Sequence, residues 1–135
     1  MATERMIVWQ GSSMLTGEPI MVLASVSRRL RKGKAVSSGN SKTGEMIQLY
    51  IPRSDMTPLD ALAQGKDEAI CGVCPHRGKA SGGSGACYVQ VGKGPTMTAG
   101  AHFRKGSAPF DRERFRGQKV RFGAYGDPAA VLFEV

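Results

Sequence analysis

Apolar residues along this chain gather in short runs separated by glycine- and serine-rich segments, and no long helical stripe runs through them. Five runs read as strands: 6–9 (MIVW), 20–26 (IMVLASV), 45–51 (EMIQLYI), 86–91 (ACYVQV) and 119–125 (KVRFGAY). Each is short and rich in apolar, aromatic or β-branched residues. Between the first two lies QGSSMLTGEP, whose two glycines and proline can reverse the chain, which predicts a hairpin. One short helix is written in TPLDALAQG: Thr57 can cap it, Pro58 suits its first position, Asp60 its first turn and Gly65 the residue after its end. Asp127 and Pro128 offer a second helix start in GDPAAVLFEV, although AVLFEV suits a terminal strand equally well. No repeat or domain-length linker divides the chain. The pattern therefore predicts one α+β domain over residues 1–135: small and loop-rich, with a short-stranded sheet, one or two short helices and a cysteine-bearing loop.

Composition agrees with a folded domain: 41% of the 135 residues are hydrophobic and 22% charged, and eighteen glycines mark the loops. Trp9 and the seven methionines read as core. No apolar run approaches the roughly 20 residues that span a bilayer. The opening MATERMIVWQGSS holds only a brief apolar run, shorter than the roughly 7–15-residue centre of a signal peptide. A cytoplasmic protein with no membrane contact is expected. In that reducing setting three cysteines are better suited to metal or catalysis than to disulfides.

Charge narrows the partners. The formal net charge is +8, which favours polyanions. SRRLRKGK, residues 27–34, brings Arg28, Arg29, Arg31, Lys32 and Lys34 together without an acid. FRKGSAPFDRERFRGQKVRF places Arg104, Lys105, Arg112, Arg114, Arg116, Lys119 and Arg121 among Phe103, Phe110, Phe115 and Phe122. Basic residues interleaved with aromatics can grip phosphates and stack on bases, so DNA or RNA is the expected partner. In SGNSKTG, Lys42 and backbone amides could meet an anion, but the spacing departs from G-x-x-x-x-G-K-[ST], and nucleotide hydrolysis is not expected.

The remaining chemistry sits in CGVCPHRGKASGGSGACYV, residues 71–89. Cys71 and Cys74 have the C-x2-C spacing that lets two thiolates reach one metal from a tight turn, with Cys87 as a third. Zinc takes four tetrahedral donors. His102 is the better fourth, because His76, just after Pro75, would have to fold back sharply. Three cysteines alone can instead hold a [4Fe-4S] cluster with one open iron, although the spacing is not the usual compact run. Thiol redox catalysis fits less well: its C-x2-C pair opens a helix, whereas here Pro75 and a glycine-rich segment follow. Cysteines buried as small apolar residues remain the plainest alternative.

These motifs together resemble a bacteriophage protein family related to gene product 88. The likeness rests on SGNSKTG, on the CP…CY segment and on Arg121, Gly123, Tyr125, Gly126, Asp127 and Pro128 of VRFGAYGDP, and it covers most of residues 37–133. It implies a phage-encoded protein in the host cytoplasm and carries no activity with it. Members of that group continue beyond this point, which implies a chain short at its C-terminus. A looser likeness, in the order strand, cysteines, strand ending in Gly-Asp-Pro, is to radical S-adenosylmethionine enzymes. It implies that Gly126 and Asp127 lie near the methionine amino group of that cofactor. The cysteine spacing, the Asp in place of Glu and the short chain all depart from that pattern. The expected function is a basic metal-binding protein, zinc or iron–sulfur, that contacts nucleic acid. The alternatives are a small phage factor acting on a host protein complex, and a remnant of a cluster-dependent modifying enzyme.

Overall fold

The computed structural model describes residues 3–27, 46–85, 87, 91 and 94–132. Strands β1 (Thr3–Ser12) and β2 (Pro19–Ser27) form the expected hairpin, antiparallel and tilted by a bulge between Ile7 and Trp9. Its loop closes where the Gly17 amide donates to Ser13 O at 2.8 Å with Gly17 at φ +80. Only glycine adopts that φ without strain. Strand β3 (Met46–Tyr50) lies antiparallel to β2. Helices α1 (Pro58–Gln64), α2 (Glu68–Cys71) and α3 (Gly94–Lys105) follow, then the two-residue strand β4 (Ala108–Pro109) and β5 (Lys119–Tyr125). The sheet order is β4-β1-β2-β3-β5, with β4 parallel to β1 and β5 parallel to β3. The molecule is α+β, as its sequence pattern predicts.

Alternation along β2 explains why the sheet is covered on both faces. Ile20, Val22, Ala24 and Val26 join Met6, Ile47, Leu49 and Ile51 in the main core, which α2 closes with Ala69 and Ile70. Met21 and Leu23 point the other way and meet Ala99 of α3. The cysteine segment and α3 thus stand on opposite faces of one sheet.

Helix α1 is built as its residues predict. Thr57 Oγ1 accepts from the Asp60 amide at 3.2 Å, Pro58 opens the helix, and Gly65 leaves it at φ +67. The second helix start yields less than expected: Asp127 caps a single 3-10 turn, Pro128–Ala130, and Val131 is already extended. In the expected strand 86–91, neither Cys87 nor Val91 is in a strand, and the rest lies outside the described residues. No helix among the described residues is long and apolar enough to cross a membrane.

One ion-pair cluster around the buried Arg53 ties the hairpin loop to the segments before and after α1. Arg53, only 4% exposed, reaches Asp55 through two hydrogen bonds of 2.8 and 2.9 Å, Glu18 at 2.7 Å and Lys66 O at 3.2 Å. Hydrogen bonding to Arg53 holds the Asp55 carboxyl below its ordinary value, outweighing the opposing effect of burial. A carboxyl depressed in the folded state lends stability above its unfolded pKa and loses it as pH falls. Because Asp55 is 41% exposed, solvent screening discounts the pair. We expect Asp55→Asn to cost about 1 kcal/mol at pH 7. In urea melts the gap to wild type should narrow as pH drops below 3.8, the ordinary carboxyl value.

Candidate metal centre

The three cysteines are free thiols, Cys71 and Cys74 half-buried and Cys87 exposed. They share one hydrogen-bonded loop. Helix α2 ends at Cys71, and Gly72, at φ +60, lets the chain turn so that the Cys74 amide donates to Cys71 O at 3.4 Å. The chain then doubles back on itself: the Ser84 amide donates to Pro75 O at 2.9 Å, Gly85 to Arg77 O at 2.8 Å, Gly83 to Gly78 O at 3.1 Å, and Cys87 to His76 O at 3.0 Å. This return carries Cys87 back beside the C-x2-C turn.

Burial first, then the charges of Asp67, Cys87 and Cys74, push the Cys71 thiol up to about 12, while Arg77 opposes them. Tyr125, at the end of β5, is raised in turn by its burial and by Cys71, Asp67 and Cys87. Arg77 braces the turn: its Nε donates to Cys74 O at 3.2 Å and its Nη1 lies 3.5 Å from the buried Asp67 carboxylate. Asp67 and Arg77 were not singled out by the motif. The four-residue step from Asp67 to Cys71, which sets the carboxylate on the thiol's side of α2, was the available signal.

Gly126 and Asp127 also come to this region. The Asp127 amide donates to Ile70 O at 2.5 Å, one residue before Cys71, and Gly126 packs against Ile51 and the Ile70 carbonyl. The Asp127 carboxylate itself caps the 3-10 turn, accepting from the Ala129 amide at 2.9 Å. Both residues therefore anchor the cysteine turn to the carboxyl end of the parallel β3–β5 pair, where open sheets place their ligand crevices.

His102 does not join the thiols. It sits in the last turn of α3, on the far face of the sheet, where its Nδ1 shares a 2.7 Å hydrogen bond with Ser107 Oγ and its ring meets Phe103 edge-on. That end of α3 is tied to the start of β1, since Arg5 Nη2 donates to Gly106 O at 3.2 Å. Helix α2 is tied to the other end, where Ser13 Oγ donates to Ala69 O at 2.5 Å. Eight residues of strand separate the two anchors, roughly 25 Å at the usual rise. Burial, with Arg5 nearby, holds the His102 ring below the ordinary histidine value. His76 is the histidine beside Cys87: the two line one cavity of about 410 Å³ with Lys79, Leu62, Ala80 and Val91.

The basic residues divide. Arg28, Arg29, Arg31, Lys32, Lys34 and Lys42 lie outside the described residues. Arg104, Lys105, Arg112 and Arg116 are exposed along the end of α3 and the 3-10 turn Arg112–Arg114 after β4. Phe103 and Phe110 stand out among them at 43% and 47% exposure, and Phe110 packs on Phe115 with ring centroids 5.2 Å apart. Arg114 differs: it turns inward to Glu4 of β1 at 2.6 Å. It pins the strip to the sheet edge and is a structural partner. Arg116 shares its charge with Glu113 at 3.1 Å, both well exposed.

Three thiols are soft donors that suit zinc or an iron–sulfur cluster. No three His, Cys, Asp or Glu side chains among the described residues are grouped so as to hold an ion. Compared with family models, with curated proteins and with solved structures, the chain matches none.

Proposed function

We propose that this is a basic metal-binding protein that contacts nucleic acid, its cysteines gathering one zinc ion or iron–sulfur cluster and its cationic strip meeting phosphate. The observation that carries the reading is the backbone return that sets Cys87 beside His76 and so beside the C-x2-C turn. A hydrogen-bonded loop holds the three cysteines in one segment, and binding would draw the half-buried and exposed thiols together. Three thiolates on a divalent ion leave a net negative charge, which Arg77 at the turn and Lys79 at the cavity offset. The likeness to phage proteins supports the host cytoplasm as the setting.

The nucleic-acid half draws on Arg104, Lys105 and Arg112, exposed beside Phe103 and Phe110 at one sheet edge. Phosphate contacts of this kind give affinity without sequence choice. Binding to mixed-sequence DNA and RNA should weaken steeply with salt. Replacing all three cations by alanine should flatten the log–log salt slope by about 2 to 3, near 0.9 for each phosphate no longer neutralised. No binding at low salt would leave the strip to an acidic protein surface instead.

A second reading, a cluster-dependent enzyme, is favoured by one observation: Gly126 and Asp127 stand against Ile70 at the carboxyl ends of β3 and β5, next to the thiols. Iron and sulfide counts on protein purified without oxygen separate the readings. A colourless protein with one zinc removes the enzyme.

A further inference from the structure

Resting on the metal centre proposed above, we propose that His76 supplies its fourth donor. That makes it a closed, mononuclear site of three thiolates and one imidazole rather than an open cluster. Four observations carry this. The Cys87 amide donates to His76 O at 3.0 Å, so the two residues face each other across the returning loop. Both residues line the same cavity. The His76 ring is exposed and takes no hydrogen bond among the described residues, so nothing holds it away from a metal. Finally, the chain's other histidine is on the far face of the sheet and engaged with Ser107.

The Pro75 carbonyl accepts from the Ser84 amide at 2.9 Å, which turns residues 75–77 back over the glycine-rich segment. A Cys74-Pro75-His76 step then presents thiol and imidazole from one turn, with Cys71 on the preceding helix and Cys87 on the returning arm of the loop. Zinc, with no geometric preference beyond a tetrahedral donor set, is the ion such a shell selects. With the fourth position filled by the chain itself, the centre organises the loop and leaves no site for substrate on the metal.

Cobalt(II) titration of the full-length protein under reducing, oxygen-free conditions tests this. Wild type should give the intense visible bands of a tetrahedral site with thiolate-to-cobalt charge transfer. His102→Ala should leave spectrum and affinity unchanged. His76→Ala should bind at least about tenfold more weakly, with altered ligand-field bands, while its circular dichroism stays that of wild type because the ring is exposed. His76→Cys should restore affinity and raise the charge-transfer intensity by about a third, from three thiolates to four. If wild type shows tetrahedral thiolate bands and His76→Ala leaves them unchanged, the assignment of His76 is overturned and the cysteine centre stands. If His102→Ala alters them instead, the assignment is likewise overturned. If wild type shows no thiolate bands, the centre itself is lost. Native protein carrying several irons with sulfide contradicts the mononuclear site alone.

Discussion

Gly126→Val should be the most damaging single substitution outside the main core. Gly126 has φ +86, and a Cβ there would lie 2.9 Å from Ile51 Cβ and 2.9 Å from Ile51 O, with Ile70 O at 3.4 Å. Left-handed backbone costs an L-residue roughly 1–2 kcal/mol, and a β-branched side chain more. The contacts add to that, because Ile51 is fully buried and its carbonyl is backbone, so neither can yield cheaply. A total of roughly 4 kcal/mol is a large share of the 5–15 kcal/mol typical of a domain, and corresponds to a melting point lower by about 15 °C. Gly17→Ala is the control: its φ is +80, yet nothing lies within 4 Å of the added carbon, so it isolates the backbone cost at about 1 kcal/mol. If Gly126→Val melts no lower than Gly17→Ala, β5 does not pack against Ile51 and Ile70 as described. The effect should reach the thiols as well, because the next amide, Asp127, holds Ile70 O beside Cys71.

Gly83→Ala should separate the metal site from the fold. A Cβ at Gly83 would fall 2.1 Å from Arg77 O, 2.6 Å from its carbonyl carbon and 2.8 Å from its nitrogen. All three of these neighbours are backbone atoms, so the returning arm of the loop must move away from Arg77, breaking the bonds that bring Cys87 to His76. The main core, which holds neither residue, should be little affected. The loop relieves the clash by opening, and re-closing it on metal at a cost of about 2 kcal/mol weakens metal binding about 30-fold. The apo protein should unfold in urea much as wild type does. Gly82→Ala has nothing within 4 Å and differs only in a φ of +82, so its loss should be several-fold smaller. Equal metal affinity for wild type and Gly83→Ala would mean that the return of Cys87 is not what assembles the site.

These two glycines also mark what a sequence reveals and what it hides. Hairpin, β2, β5 and α1 were legible because their signals are local: the apolar, β-branched run 20–26, and Thr57, Pro58 and Gly65 at helix ends. Helix α3 was not. Gly94, Thr96, Thr98 and Gly100 are poor helix formers, and only Pro95 and Ala99 are buried. It is held by Met21 and Leu23, which leave the other face of β2 and are buried against Ala99, a tertiary cause that no local pattern announces. Strand β1 runs longer than its apolar run because pairing with β2 recruits polar residues such as Glu4 and Arg5. At the candidate site, C-x2-C spacing marked the turn that joins Cys71 to Cys74, but sequence distance could not show that His102 would sit on α3, bonded to Ser107. The bonds that fold His76 back are backbone to backbone across a glycine-rich segment, and they leave no side-chain signature. The reading of Arg114 with the exposed cations missed its partner Glu4 for the same reason of distance.

The claim beneath the rest is that three thiols from one loop share one inorganic centre. X-ray absorption at the metal edge, on protein purified without oxygen or chelator, tests it most directly. The expected result is a bound metal with three sulfur neighbours at about 2.3 Å. Protein without metal, or metal surrounded only by oxygen and nitrogen, would contradict it.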